Sequence, residues 1–202
     1  MNPKLIVEQK ITAFTNKYAV YSTDASGEKS ALVAFAQQKR LAFKEKVTFF
    51  ADEAKTQPIF TLRAEKVMDV HGRYLIEDTA GNYIGSFKKE FKKSLLKSTW
   101  SVLDQSGQPT LQIAENSLSL ALFRRFGGFI PIVGGVVDVI VLFLRYHFAI
   151  TNPMTSQEVG QYKKTTLFRD HYALSMNEDA YAQYDWRVLA AMAVALDALQ
   201  SR

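Results

Sequence analysis

The sequence of 202 residues contains no cysteine, which excludes disulfide bonds and thiolate ligands for a metal. Histidine is also scarce, and His71, His147 and His171 are too scattered to form a metal-binding pair such as H-x-x-x-H. A Gly-x-Ser-x-Gly elbow is absent, and the glycine-rich stretch 126–135 lacks the Lys-Ser/Thr of a P-loop. We therefore predict no enzyme, no catalytic residues, no metal and no cofactor. His171 is expected to be an exposed strand residue.

Charge of one sign is not in large excess either. The chain has 25 Lys and Arg against 20 Asp and Glu, a net charge of +5 with a pI near 9.3, which modestly favours anionic partners. The first 14 residues contain a short apolar run broken by Glu8, Gln9 and Lys10, which is unlike a signal peptide. With 48% hydrophobic residues, a chain of this length can build one core. We predict a single cytoplasmic domain over residues 1–202.

One small design occurs three times: an aromatic residue opens a strand, an aspartate follows, and a glycine comes three residues after the aspartate. The copies are YAVYSTDASG at 18–27, YLIEDTAG at 74–81 and WSVLDQSG at 100–107. In a type I turn the Asp side chain accepts hydrogen bonds from its own backbone, and the Gly takes the positive φ that closes a hairpin. The pattern predicts consecutive β-hairpins in which Asp24, Asp78 and Asp104 shape turns and form no carboxylate site.

Alternation of apolar and polar residues predicts strands along most of the chain. The predicted strands are 5–12, 18–22, 30–36, 44–50, 58–66, 72–77, 83–87, 95–103 and 110–114, followed by 145–151 and 165–176. The stretch 37–43 (QQKRLAF) fits either a connection or a helical turn. A meander of this kind must bury one face of its strands against another element.

The last predicted element is a helix at 180–199 that supplies this core. Eleven of the twelve residues at 188–199 (VLAAMAVALDAL) are apolar and cover every face, but the run is too short to span a bilayer. Its many alanines make it slim, so surrounding strands can approach closely. We predict a closed sheet wrapped around this helix. Asp197 is the exception, which we expect at the exposed end of the helix; the alternative is a buried, hydrogen-bonded carboxylate.

The segment 126–144 is a long hydrophobic run of nineteen residues with one charge, Asp138. Its length fits a transmembrane helix, but Asp138 costs roughly 3 kcal/mol at mid-bilayer, and four glycines with a proline weaken helix formation. We favour a buried or capping hairpin at 134–135; the alternative is an apolar finger that dips into a leaflet with its arginines at the headgroups. A short helix is predicted before it, at 118–126, within an apolar insertion at about 117–144.

Four stretches of the sequence resemble the LURP-one-related proteins, a family similar to the phospholipid scramblases and to the Tubby C-terminal domain. They are AFKEKVTFFADEAKTQPIFTLRAEK (42–66), RYLIEDTAGNYIGSFKKEFKKSLLKSTWSVLD (73–104), LFRDHYAL (167–174) and DWRVLAAMAVALDAL (185–199). In this pattern, a Gly-x-Phe-(Lys/Arg)-(Lys/Arg) strand is followed by a Ser-x-Trp strand, and the pattern ends with an Ala/Leu-rich helix that contains an Asp. The resemblance covers most of the chain in the family's order.

The resemblance implies a mainly β, Tubby-like fold: a closed barrel of about twelve strands around a buried, hydrophobic C-terminal helix. It carries over no catalytic residues. Tubby-type members bind phosphoinositides, and scramblase-type members are linked to lipid movement. The scramblase branch depends on a cysteine-rich palmitoylated segment and an acidic calcium-binding stretch, and this chain has neither, so we do not expect scrambling.

A cluster of basic residues is the strongest candidate binding feature. The residues that we assign to lipid or phosphate binding are Lys88, Lys89, Lys92, Lys93, Lys97, Arg124 and Arg125. Each lysine near an anionic surface contributes about 1 kcal/mol, so such a cluster can hold a peripheral protein weakly. The alternative is a solvated edge strand whose lysines block aggregation.

We thus predict a non-enzymatic binding or scaffold protein that associates with anionic phospholipids or phosphoinositides at a membrane surface. A membrane contact through 126–144 is the alternative to a buried or capping hairpin there. The alternative is a structural or regulatory module that binds an unknown protein partner, in which the lysines only solubilise the protein. Nucleic acid is not an expected partner, because the aromatic residues follow strand alternation instead of the pattern of an RNA-binding sheet.

Overall fold

The computed structural model describes residues 2–12, 15–39, 46–65, 72–90, 99–115, 147–166 and 170–200. Within these residues the chain forms twelve strands and two helices. The strands are β1 (Asn2–Ile11), β2 (Thr15–Thr23), β3 (Lys29–Lys39), β4 (Val47–Phe50), β5 (Pro58–Ala64), β6 (Arg73–Asp78), β7 (Tyr83–Lys89), β8 (Thr99–Leu103), β9 (Pro109–Glu115), β10 (His147–Thr151), β11 (Glu158–Lys164) and β12 (Asp170–Met176). The helices are α1 (Glu178–Ala182) and α2 (Trp186–Gln200).

The strands form one closed antiparallel barrel in which each strand pairs with its neighbours in the sequence. The barrel closes where β1 pairs with β12, with Leu5 opposite Leu174 and Val7 opposite Tyr172. Alternate residues of a strand point inward, and these four side chains are all buried. The predicted mainly β fold, a closed barrel of about twelve strands, is confirmed.

One observed strand, β11, has no counterpart in the prediction. It lies between β10 and β12 and pairs with both. Its inward positions are Gly160, Tyr162 and Lys164, so only one of the three is a large apolar residue and the alternation is too weak to detect. β3 also continues to Lys39, which assigns the first part of the ambiguous stretch 37–43 to a strand.

The connections between strands alternate between the two ends of the barrel, because consecutive strands run in opposite directions. One end, which we call the turn end, carries the connections 24–28, 51–57, 79–82, 104–108 and 152–157 and the link 177–185 that contains α1. At the opposite end, which we call the loop end, β1, β3, β5, β7, β9 and β11 finish and α2 has its last turn. The strand connections that contain residues outside the described ranges all join the barrel at the loop end.

Each of the five tight turns at the turn end is built on one Asp or Asn side chain: Asp24, Asp52, Asp78, Asp104 or Asn152. In the Asp104 turn, the backbone N–H groups of Ser106 and Gln108 donate to Oδ1 at 2.8 Å and 2.9 Å, and Gly107 has φ +81°. The other two Asp-x-x-Gly turns repeat this arrangement. The predicted role of the three repeated aspartates in turns is confirmed.

The helix α2 runs through the barrel from the turn end to the loop end and forms the centre of the core. Every residue at 189–196 has no exposed surface, which explains why the helix is apolar on all faces. Close packing explains its small side chains: a Cβ added at Gly85 of β7 would lie 3.1 Å from Val188 Cγ2. The predicted buried, slim helix inside a closed sheet is confirmed.

The predicted single helix at 180–199 is wrong in one respect, because the structure has α1 and a separate α2. Asp185 starts the second helix: the backbone N–H of Arg187 donates to Asp185 Oδ1 at 2.9 Å, as in an N-cap. The link before it is held at the turn end, where the Tyr184 hydroxyl donates to the Thr110 carbonyl at 3.2 Å and Glu178 pairs with Lys4.

Aromatic side chains fill the space between the barrel wall and the helix. Stacked pairs are Phe49 with Phe60 at 4.2 Å, Phe87 with Trp100 at 4.5 Å and Tyr162 with Tyr172 at 5.4 Å between ring centres. Such pairs contribute about 0.5–1.5 kcal/mol beyond the area they bury. The Tyr162 hydroxyl also donates to the Ala193 carbonyl of α2 at 3.0 Å, which fixes the helix against β11.

We expect the backbone strain at a positive φ to decide whether two substitutions in these turns raise or lower the free energy of unfolding. Gly81 has φ +85° and a Cβ there would meet no atom within 4 Å, so Gly81→Ala should lower the free energy of unfolding by about 1–2 kcal/mol through backbone strain alone. Lys55 occupies the equivalent turn position with φ +62°, so Lys55→Gly should raise it by about 1 kcal/mol. Denaturant unfolding measures both.

Lys55→Ala is the matched control, because it removes the side-chain hydrogen bond from Lys55 Nζ to Gln37 Oε1 but keeps the strained backbone. It should not stabilise the protein. Equal changes in the Gly and Ala variants would contradict the assignment of strain to φ at this position.

Candidate functional site at the loop end

Two of the predicted binding residues, Lys88 and Lys89, end β7 at the loop end. Lys88 stands opposite Arg73 of β6 and Ser101 of β8, and Lys89 Nζ lies 5.3 Å from the centre of the Trp100 ring. Both lysines are partly exposed. The other predicted binding residues and apolar segments, namely Lys92, Lys93, Lys97, Arg124, Arg125, the helix at 118–126 and the segment 126–144, lie outside the described residues and stay predictions.

The register of the barrel adds basic residues that the sequence did not single out. Lys10 of β1 lies directly opposite Lys17 of β2, just as Arg73 lies opposite Lys88. Like charges placed directly opposite in an antiparallel pair are destabilising. Both pairs lie near the loop end, so they bring basic groups to the same end of the barrel as the predicted lysines. Only strand register reveals them, because the partners are separated in the sequence.

The connections that join strands at the two ends of the barrel differ in the charge of their sequences. The six loop-end segments outside the described ranges, at 13–14, 40–45, 66–71, 91–98, 116–146 and 167–169, contain ten Lys or Arg and three Asp or Glu in their sequence. The turn-end connections 24–28, 51–57, 79–82, 104–108 and 152–157 and the link 177–185 contain eight Asp or Glu and one Lys. The modest net charge of +5 therefore conceals a difference between the connections: those that join strands at the loop end are basic in sequence, and those at the turn end are acidic.

A groove with a volume of about 640 Å³ lies on the outer wall of the barrel beside the opposed pair Lys10 and Lys17. Its lining includes Lys10, Lys17, His171, Glu8, Asp170 and Tyr21. Glu53 also lines the groove, and two of its three carboxylates are paired with lysines, since Lys29 Nζ lies 2.7 Å from Glu8 and Lys164 Nζ lies 2.7 Å from Asp170. His171 lies on β12 as predicted and is partly exposed. The groove therefore offers two lysines and a histidine to a polar ligand.

Inside the barrel, beneath the loop end, lies a buried carboxyl group. Asp197 is 2% exposed, so its expected position at an exposed helix end is wrong and the buried alternative is correct. The reason is that α2 is still enclosed at this point, since Ala198 is also buried. The hydroxyls of Tyr172 and Tyr18 hydrogen-bond the carboxylate, while its Oδ2 has no partner among the described residues.

Burial raises the pKa of Asp197 to about 6. The hydrogen bonds from Tyr172 and Tyr18 and the charge of Lys164 oppose this shift, whereas the charge of Asp170 adds to it. Burial is also the main cause of the raised pKa of both tyrosines, with Asp197 as the next cause. A carboxyl group that titrates near neutral pH therefore lies within the core, under the basic end of the barrel.

Neither a metal cluster nor a membrane span is found in the described part of the chain. No group of three or more His, Asp or Glu side chains there is placed to hold a metal ion. None of the described helices is long and apolar enough to cross a bilayer. The most apolar of them, α2, has 15 residues and is enclosed by the barrel.

We expect the titration of Asp197 to make stability depend on pH. Its pKa is about 6 in the folded protein and 3.8 in the reference state, so this group stabilises the fold fully below about pH 4 and loses that contribution as pH rises through 6. The loss amounts to about 3 kcal/mol at about 1.4 kcal/mol per pKa unit. Unfolding free energies of the parent and of Asp197→Asn, measured from pH 4 to pH 7, should diverge by this amount.

Asp179→Asn is the control for this series, because it removes an exposed carboxyl group from α1. Its curve should run parallel to that of the parent. A parallel curve for Asp197→Asn as well would contradict the assignment of the transition to Asp197.

Comparison with known proteins identifies a family for this chain. A family model described as LURP-one-related matches residues 32–197. The chain is also similar to an X-ray structure of a protein from Arabidopsis thaliana, with 12% sequence identity, a TM-score of 0.44, and coverage of 98% of this chain and 93% of that chain. No curated protein matches the chain. Since the family model spans most of the sequence, this protein belongs to the LURP-one-related family.

Proposed function

We propose that this protein is a non-enzymatic binding protein that associates with anionic phospholipids or phosphoinositides through the loop end of its barrel. The observation that carries the proposal is the charge of the strand connections, which are rich in Lys and Arg where they join strands at the loop end and rich in Asp and Glu at the turn end. The proposed binding residues are Lys88, Lys89, Lys92, Lys93, Lys97, Arg124 and Arg125, with Lys10 and Lys17 added from the strand register.

Simple electrostatics supports a reversible, peripheral association. Each Lys or Arg close to an anionic membrane contributes about 1 kcal/mol, and this attraction fades within a Debye length of about 8 Å at physiological ionic strength. A strand of seven residues such as β7 spans about 23 Å. The acidic turn end therefore lies beyond the range of the surface when the loop end touches it, which favours this orientation of the barrel.

The proposal extends to two further points. The apolar segment 126–144 belongs to the connection between β9 and β10, whose strand ends Glu115 and His147 lie at the loop end. We infer that this segment dips into the leaflet beneath the basic residues. The cytoplasmic leaflet carries the anionic lipids of most membranes, so a peripheral position on that leaflet is the location that we propose.

The packing of the interior supports binding over catalysis. Enzyme sites are concave pockets with titratable groups that a substrate can reach. Here α2 occupies the interior, and Asp197, the one interior carboxyl group with a raised pKa among the residues that the structure describes, is 2% exposed. The charged outer surface of the loop end is accessible to a ligand, as Lys88 and Lys10 illustrate.

Sedimentation with phosphatidylserine vesicles, with and without a phosphoinositide, tests the proposal. The parent protein should co-sediment, and binding should weaken as salt concentration rises. Lys88→Glu with Lys89→Glu should weaken binding by at least about tenfold, because each lysine near the surface contributes about 1 kcal/mol. Adding Lys92→Glu and Lys93→Glu should abolish it.

Lys29→Glu with Lys55→Glu is the matched control, since it makes the same change in net charge on residues nearer the turn end. These two substitutions should leave vesicle binding unchanged. Unchanged binding by the loop-end variants would remove the lysines from the site, and no binding by the parent would leave the protein-interaction module as the better interpretation.

A further inference from the structure

Two apolar clefts open at the turn end, one on each side of residues 183–185, which connect α1 to α2. The larger has a volume of about 740 Å³, and its lining includes Val33, Ile59, Tyr181, Tyr184 and Trp186. The smaller has a volume of about 480 Å³, and its lining includes Ile84, Val102, Leu103, Tyr184 and Val188. Because Tyr184 borders both, the clefts form one face, which we call the cleft face. Their volumes are within the range of ligand-binding pockets.

The cleft face has the composition of a protein-binding surface. Tyr181, Tyr184 and Trp186 pack against the core but remain partly exposed, and Arg187 is held by Asp185 at 2.6 Å. Tyr, Trp and Arg are the residues that most often dominate the binding energy of protein interfaces. Met154 lies in a turn at the same end and is 91% exposed, more than any other large hydrophobic residue that the structure describes.

Negative charge surrounds this face. Asp104 and Asp185 line the smaller cleft. The negative charge of Asp78 contributes, after Asp185, to the raised pKa of Arg187. Hydrogen bonds from the side chain of Ser106 and from backbone N–H groups lower the pKa of Asp104. Hydrogen bonds from the side chain and backbone of Asn82 likewise lower the pKa of Asp78. These carboxylates are therefore ionised at any physiological pH.

We propose that the cleft face docks a basic, amphipathic segment of a partner protein, with apolar side chains in the two clefts and Lys or Arg side chains over the acidic turns. Charge complementarity selects this occupant. The turn-end connections hold eight acidic residues and one basic residue, and of the eight, Glu178 and Asp185 are paired with Lys4 and Arg187. The remaining acidic excess repels an anionic lipid surface and attracts a cationic chain. An amphipathic helix in an apolar groove is a common mode of peptide recognition. The proposal does not depend on lipid binding, which uses the opposite end of the barrel.

The chain contains a reporter for this face. Of its two tryptophans, Trp100 is 3% exposed and stacks on Phe87, whereas Trp186 lines the larger cleft. In a Trp100→Phe protein, the emission of Trp186 should shift to shorter wavelength when a short amphipathic helix of Leu and Lys is added. A peptide of the same composition without an apolar face, and one with Glu in place of Lys, should leave the emission unchanged.

Substitutions in the full-length protein separate charge from shape. Asp78→Asn with Asp104→Asn keeps the side-chain acceptor of each turn but removes two charges, and should weaken peptide binding by about tenfold at low salt. Glu65→Gln with Glu90→Gln makes the same change in charge at the loop end and should leave binding unchanged. Ile59→Ser should abolish the emission shift, and its unfolding curve checks that the barrel is intact.

Three outcomes would overturn the proposal. The first is an equal response to the peptides that lack an apolar face or carry Glu. The second is saturable binding of the Leu and Lys peptide with no change in Trp186 emission, which places the peptide elsewhere. The third is concentration-dependent self-association of the parent in sedimentation that Ile59→Ser removes, since a second copy of the chain would then cover the cleft face.

Discussion

The enclosure of an apolar helix by a closed sheet is the constraint on which the rest of this structure depends. Closing the barrel removes every unpaired strand edge, but it also creates an interior that must be filled. The helix α2 fills it only because its side chains are small and apolar on all sides, and only inside a barrel is such a helix protected from water. The stacked aromatic pairs and the close approach of Gly85 to Val188 follow from this mutual dependence.

The same architecture separates the two ends of the barrel by the chemistry of their connections. At the turn end, local hydrogen bonds of Asp or Asn side chains define each of the five tight turns, which places negative charge there as a by-product of turn formation. The connections that join strands at the loop end hold an excess of Lys and Arg in their sequence. The acidic turns with their apolar clefts and these basic connections thus belong to opposite ends of one barrel.

The features that the sequence predicts correctly have local causes. Four consecutive residues are enough to specify each Asp-x-x-Gly turn. The apolar run of α2 covers every face of the helix, which is enough to predict that the helix is buried. The features it missed depend on three-dimensional context: β11 has a single large apolar residue facing inward, and the burial of Asp197 depends on how far the barrel extends along the helix. The opposed pair Lys10 and Lys17 requires strand register, which no pattern within one strand encodes.

The position of α2 in the chain order has a consequence for how the protein folds. The helix follows all twelve strands, so a ribosome completes the wall of the barrel before it makes the core that the wall encloses. The pairing of β1 with β12 likewise joins residues near opposite ends of the described chain, and such distant contacts form slowly. The nascent strands therefore present apolar inner faces without their partner until α2 has been made, and during this interval the chain is prone to aggregate.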